Sequence, residues 1–400
     1  MPLTRPAAIY LDHNATTPVL PEVVDAMRAC YAEPLLNPAS QHEPGRRARR
    51  VLEDARERIG ELVGASMAGR DADLVIFTSG GTESNNLAVR GLLAAGEHRF
   101  SGAGASTGQL ILSSLEHPSI SALADDLAAR GWAVDRLSVD PRGVTRSDEL
   151  PLLLRPDTRL VALILGQNET GVLQPVRAVA ATCAQRGVPL HTDASQVVGK
   201  LPVDFLALGV ATLSFAAHKF HGPPGIGALV VRHGVELAPH LLGGFQQGGL
   251  RPGTESVALV SGMLRALELW HAERDARQAR LTSLRDQFER EICAGYPAAV
   301  VVGRDAPRLP HTSNVALVGL ERQALFLALD QAGVACSTGS ACASGSSEPS
   351  PALVAMGCAE AVFTSALRFS FGATTTAPDV SEAARRILKV CNDLRRRKEA

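Results

Sequence analysis

Lysine is almost missing from this 400-residue chain. Of its 40 basic residues four are lysine (Lys200, Lys219, Lys389 and Lys398) and 36 are arginine, so chemistry that needs an amine has few places to reside. Aromatic residues make up only 4% and the net charge is −1, which disfavours a basic nucleic-acid surface or attraction to an acidic membrane. No apolar run approaches the ~20 residues that a membrane helix needs. The N-terminal stretch MPLTRPAAIYLDHNATTP meets Asp12 and His13 early and is not expected to act as a signal peptide. Seven cysteines stand at 30, 183, 293, 336, 342, 358 and 391 without a CxxC pair. An odd, scattered set argues against a disulfide framework and a zinc site and for a reducing compartment. A cytoplasmic protein with neither nucleic acid nor membrane as partner is the expectation.

What is present is an ordinary globular composition, 46% apolar and 20% charged, in a chain long enough for two domains. Apolar runs at 73–79, 109–114, 158–166, 188–193, 211–217 and 227–232 read as buried strands. Helical patterns at 82–95, 119–130 and 176–186 lie between several of them. That alternation predicts an α/β fold with a mainly parallel sheet covered on both faces, its functional groups at the carboxyl ends of the strands. Beyond residue 253 the texture changes. A long helical stretch spans 255–293, strand candidates follow at 299–303, 313–319 and 366–372, and a last helix covers 379–397, which together predict a smaller α+β domain.

Three strand ends carry chemistry. FTSGGTESNN (77–86) is a strand, a glycine pair and a helix start, with Thr82 able to cap the helix. Such a turn aims free N–H groups and the helix dipole at one point and suits a phosphate, although an ordinary capped turn looks the same. PLHTDASQ (189–196) ends a strand on Asp193, which could hold a metal, a ribose or a protonated ring nitrogen, or simply cap a helix. SFAAHKFHGPPGIG (214–227) puts Lys219 just past an apolar strand, where an amine can be desolvated for Schiff-base chemistry; a surface lysine is the plainer alternative. The other three lysines fall in a terminal helix, a tail and a turn. A phosphate cradle, an aspartate and, 26 residues later, a lysine fit one cofactor, pyridoxal 5'-phosphate: Lys219 carries it, and Asp193 keeps its ring nitrogen protonated.

Further residues fit around that cofactor. His117, after the strand at 109–114, could stack on the ring and move protons, or be a loop histidine. Arg368, inside ALRFSFG, suits an amino-acid carboxylate or an internal salt bridge equally well. Cys342 sits in STGSACASGSSEPS (337–350), a Ser/Gly/Ala-rich segment that cannot pack a core, and reads either as incidental or as a thiol on a travelling loop.

The motifs YLDHNATTPV, NPASQHEPGRRAR, TSGGTESNN, EHPS, QNETGVLQP, HTDASQ, AHKFHGPPGIGAL, LRPGTES, GSACASGSSEPS and LRFSFG occur in that order over nearly the whole chain. With them the sequence resembles the cysteine desulfurases of the NifS/IscS type, pyridoxal-phosphate proteins related to the class V aminotransferases. The resemblance implies the fold type I architecture: a large domain over 16–265 with a seven-stranded sheet, and a small domain from 1–15 and 266–400 that carries the mobile cysteine loop 337–350. It implies Lys219, His117 and Cys342 as catalytic residues. Gly81, Thr82 and His218 would hold the phosphate, and Gln196 the ring hydroxyl. His117, Asn168 and Asp193 would complete the cofactor site. Thr254 would reach the phosphate of a partner subunit in a homodimer. Asn14, Asn168 and Arg368 would orient the substrate.

The implied reaction converts L-cysteine to L-alanine and leaves the sulfur as a persulfide on Cys342. That sulfur passes to an acceptor protein such as an iron–sulfur scaffold, for cluster or thio-cofactor synthesis. No resident metal is implied, Cys342 being at most a transient iron–sulfur ligand. A selenocysteine lyase and a non-catalytic scaffold of iron–sulfur assembly are the rival readings.

The chain also departs from the family pattern. Ala216 replaces a phosphate-binding hydroxyl, so one phosphate contact is missing or replaced. Gln246, Gln247 and Gly248 stand where Gln-Glu-Arg is usual, Pro252 where serine is common, and His221 and Pro224 where tyrosine and lysine are frequent. Cys336 reads as a small core residue at a strand end, with persulfide resolution as the alternative.

Overall fold

The computed structural model describes residues 7–97, 107–339 and 349–399. The loop cysteine Cys342 therefore lies outside the described residues.

The central sheet is built from β2 (Leu74–Thr78), β3 (Gln109–Ser113), β4 (Ala133–Leu137), β5 (Thr158–Ala162), β6 (Leu190–Asp193), β7 (Thr212–Ala216) and β8 (Gly227–Val231), after a short β1 (Ile9–Tyr10). Its strand order is β2-β8-β7-β6-β5-β3-β4. Every neighbouring pair is parallel except those made by β8, which runs against both β2 and β7. The turn 217–226 between β7 and β8 is too short for a crossover helix, so the chain can only return antiparallel.

Alternation along the strands explains why both faces are covered. Ile111, Val161, Leu213 and Phe215 point into one core, while Leu110, Leu112, Leu160 and Ala162 point into another on the opposite face. Successive strand side chains face opposite ways, so strands apolar at every position must be roofed on both sides. The helices Gly81–Glu97, Pro118–Ala129 and Val176–Gln185 do this, close to where the apolar patterning puts them.

Strand β4 was not among the sequence-predicted strands. It is one of the two sheet edges, mostly half-buried, and carries Asp135 and Arg136, so it lacks a continuous apolar run. The single helix expected over 255–293 is two, Val257–Ala272 and Arg274–Gly295, broken at Glu273 where φ is −121° and ψ 14°. The first buries Met263 and Leu267 in the core of the large sheet. The second buries Leu281, Leu284, Phe288 and Ile292 in a different core, so the chain must turn between them.

That second core lies against β9 (Ala299–Val302), β10 (Thr312–Leu317) and β12 (Ala366–Ser370), an antiparallel sheet in the order β12-β10-β9. β11 (Val334–Ala335) pairs in parallel with β1. Cys336 follows β11 and is buried in this core, where burial drives its thiol far above the ordinary range; it is the small core residue that its position predicted.

Candidate active site

The carboxyl ends of β2, β3, β5, β6 and β7 converge on one cavity of about 280 Å³. Asn14, Gly81, Thr82, His117, Asn168, Asp193, Gln196, His218, Lys219 and Arg368 all line it. Thr254 does not; it is exposed on the segment after Leu250.

Lys219 ends the 3₁₀ turn Ala217–Lys219 that follows β7. Its Nζ donates to the carbonyl oxygens of Asn14 (2.7 Å) and Ala15 (2.9 Å), which hold the amine against the cavity. His218 beside it contacts Thr16 Oγ1 through Nδ1 at 3.2 Å. Burial, then the charges of Lys219 and Lys200, push this imidazole down to about 4.

Asp193, the last residue of β6, accepts from the Ser195 backbone N–H (2.9 Å) on Oδ1 and from Asn85 Nδ2 (2.8 Å) on Oδ2. Each carboxylate oxygen keeps lone-pair capacity for a further donor.

His117 is the N-cap of Pro118–Ala129, so the capping role and the cavity position coexist. Its Nδ1 accepts from the Ser119 N–H at 3.1 Å and meets the Ser119 hydroxyl at 2.8 Å. The ring proton therefore sits on Nε2. Burial lowers the imidazole pKa, opposed by Asp193 and reinforced by Lys219, which favours the neutral ring.

The turn after β2 borders the cavity through Gly81 and Thr82. A Cβ added to Gly81 would lie 3.1 Å from Ser195 Oγ and 3.7 Å from the Ala216 Cβ. The Ser195 hydroxyl and the Ala216 methyl thus both border Gly81, at the N-terminus of the 17-residue helix Gly81–Glu97. Gly227 keeps this corner tight, since a Cβ there would meet the Gly80 backbone at 2.6 Å.

Arg368 is buried and takes the internal partner left open by the sequence: Nη2 donates to Asp12 Oδ1 at 2.7 Å. Nη1 donates to the carbonyls of Asn168 (3.1 Å) and Gly339 (2.9 Å), and Nε has no partner among the described residues. Asn14, also buried, donates to Asn168 O (3.1 Å) and Thr312 Oγ1 (2.9 Å).

Two departures from the family pattern acquire roles. Gln247 has φ 52°, and its side chain pairs with the edge strand β2: Oε1 accepts from Phe77 N at 2.7 Å and Nε2 donates to Phe77 O at 2.8 Å. The amide so replaces a missing ladder partner. His221 donates from Nδ1 to Pro18 O at 2.9 Å and accepts at Nε2 from Ala373 N at 3.0 Å, tying two loops together.

Asn85, Ser195, Lys200 and Asp12 are functional neighbours that the motif reading passed over. Asn85 is buried and fully used. Its Oδ1 accepts from His191 Nε2 (3.0 Å) and the Ser214 hydroxyl, and its Nδ2 donates to Ser119 Oγ and Asp193 Oδ2, both at 2.8 Å.

An amine, a carboxylate and an imidazole thus stand at three strand ends of an α/β scaffold, on one cavity with a helix N-terminus. The chain belongs to the class-V aminotransferase family, whose model matches residues 9–382. It is 39% identical over 377 residues to the cysteine desulfurase IscS of Dictyoglomus turgidum, covering 93% of this chain and 92% of that one. A solved NifS-like protein superposes with a TM-score of 0.87 at 30% identity, covering 97% of this chain and all of the other. The structure of SspA in complex with cysteine matches with a TM-score of 0.78 at 30% identity, over 92% and 99% of the two chains.

Proposed function

We propose that this protein is a pyridoxal-phosphate-dependent cysteine desulfurase. The observation that carries the reading is the meeting of Lys219, Asp193 and His117 on one cavity, in a chain that also carries Cys342 in its Ser/Gly-rich segment. Its cysteine-desulfurase relative and the cysteine complex of SspA support L-cysteine as the substrate.

The cofactor fits the donor set. Gly81, Thr82, Ser195 and His218 would hold its phosphate, Asp193 its ring nitrogen, Gln196 its ring hydroxyl, and Lys219 would carry it. When bound, it supplies an electron sink that weakens bonds at the substrate's α- and β-carbons. The protein's own residues do the rest. His117, with its proton on Nε2, and Lys219 are the proton carriers at the cavity wall. Arg368 is fixed by Asp12, and its Nε–H, without a partner among the described residues, would serve the substrate carboxylate, with Asn168 and Asn14 beside it. Cys342 attacks the substrate sulfur: one S–S bond forms, one C–S bond breaks, and L-alanine leaves with the protons that balance it.

A homodimer is part of the proposal. Thr254 is exposed and does not line its own cavity, and nearby Leu242 and Phe245 are 89% and 95% exposed, large apolar side chains that a partner subunit would cover. The sulfur acceptor is proposed to be a protein, such as an iron–sulfur scaffold. A cytoplasmic location is supported by the free state of all six described cysteines. Among the described residues no helix is long and apolar enough to cross a membrane.

The test is direct. Protein loaded with pyridoxal phosphate and given L-cysteine and a thiol is expected to release alanine and sulfide in equal amounts. Alanine formation from selenocysteine alone would replace this reading with the lyase.

A further inference from the structure

Lys200 has no assigned role, yet it is one of only four lysines and is 5% exposed. Its sole hydrogen-bond partner among the described residues is Gln196 Oε1, at 2.9 Å. The same Gln196 donates from Nε2 to the carbonyl oxygen of Asn14 at 3.0 Å, and that oxygen also accepts from Lys219. Gln196 lines the active-site cavity.

These contacts decide which way the amide faces. A carbonyl oxygen can only accept, so Nε2 must face Asn14; the amide oxygen needs a donor, and Lys200 Nζ is the one it has. One Nε2 hydrogen is used on Asn14 and the second remains for the cavity. We propose that Lys200 is a positioning residue: it holds Gln196 so that the amide offers the cofactor's ring oxygen an N–H and never a carbonyl. This inference rests on the pyridoxal-phosphate reading of the site.

Among the described residues no carboxylate hydrogen-bonds or ion-pairs with Lys200. A small internal chamber next to the site is lined by Lys200, Lys219, His13, His221 and His311 as well as Arg277 and Arg280, with no carboxylate among its lining residues. Burial, then the charges of Lys219 and Arg368, push the Lys200 amine well below its ordinary range. An amine without an anionic partner is free to serve a neutral amide oxygen.

A donor on the ring oxygen favours that oxygen's negative form and so holds the cofactor's titrating nitrogen at a lower pKa. The experiment measures the pH midpoint of the visible absorption band in the cofactor-loaded wild type, Lys200→Met, Gln196→Ala and the double variant. Lys200→Met is expected to raise the midpoint by about half to one pH unit, the size of one hydrogen bond. Gln196→Ala is expected to raise it too, and the double variant no further than Gln196→Ala alone, because Lys200 acts through Gln196. An unmoved midpoint in Lys200→Met, or shifts that add in the double variant, would overturn the inference. Should Lys200→Met fail to fold, Lys200→Gln keeps a donor and is expected to retain the wild-type midpoint; a displaced midpoint there contradicts the role. A wild type with no visible band overturns the cofactor reading itself and this inference with it.

Discussion

Asn85 donates to Asp193 Oδ2 and to Ser119 Oγ at 2.8 Å each, and Ser119 in turn holds His117 Nδ1. One buried amide therefore orients both the carboxylate proposed to meet the ring nitrogen and the imidazole proposed to move protons. Replacing it by the near-isosteric leucine strands Asp193, Ser119, His191 and Ser214 without their partner. Asn85→Leu is expected to cost about 2 kcal/mol or more of stability and to weaken cofactor retention at least tenfold. Denaturant unfolding and a cofactor titration check this; wild-type values in both would remove Asn85 from the network.

The protein should be labile to mild acid. Burial pushes His13, His191, His218 and His221 down to about 4 from an ordinary 6.5. Between those values the unfolded chain binds protons that the folded chain refuses, so stability falls as pH falls from 6.5 to about 4. Burial raises Glu116, to about 8, and Glu169, and these work in the opposite sense, favouring the folded state as pH drops. Burial lowers His117 and His311 as well, so six imidazoles against two carboxyls leave a net loss. The denaturant midpoint of the cofactor-free protein is expected to be lower at pH 5 than at pH 7; a higher value at pH 5 would refute this balance.

Lys219 is proposed as the covalent anchor. Borohydride treatment of cofactor-loaded protein is expected to add one pyridoxyl group to the peptide containing Lys219, and Lys219→Ala is expected to bind the cofactor reversibly and resist labelling. Labelling at Lys200 instead, the nearer of the remaining lysines, would reassign the anchor.

Arg368→Lys keeps the charge but loses the planar fork that serves Asp12 and the carbonyls of Asn168 and Gly339 while sparing Nε. The KM for cysteine is expected to rise tenfold or more with cofactor affinity within about twofold of wild type. An unchanged KM would confine Arg368 to its internal salt bridge.

The strands of the large sheet and the lysine of the site were legible because the signals are local. Six apolar runs bounded by turns read as six of its seven strands, and scarcity singled out Lys219. What was illegible depends on assembly. Asn85 follows a helix start, where a polar residue reads as a solvent-facing one; only the stacking of that helix on β6 and β7 buries it. Lys200 follows a Val-Val-Gly turn that looks exposed, and the fold closes over it. β4 is an edge strand with charges in its middle, and the break at Glu273 answers to two cores that no helical period encodes.

The central claim is that sulfur leaves L-cysteine on the thiol of Cys342. The most direct measurement compares cofactor-loaded wild type with Cys342→Ala after exposure to isotopically labelled L-cysteine, reading alanine release and persulfide by mass spectrometry of the intact protein and its peptides. The wild type is expected to form alanine and carry labelled persulfide on the peptide containing Cys342, while the variant keeps its cofactor band and does neither. Labelled persulfide in substantial amount on the Cys342→Ala protein would contradict the account.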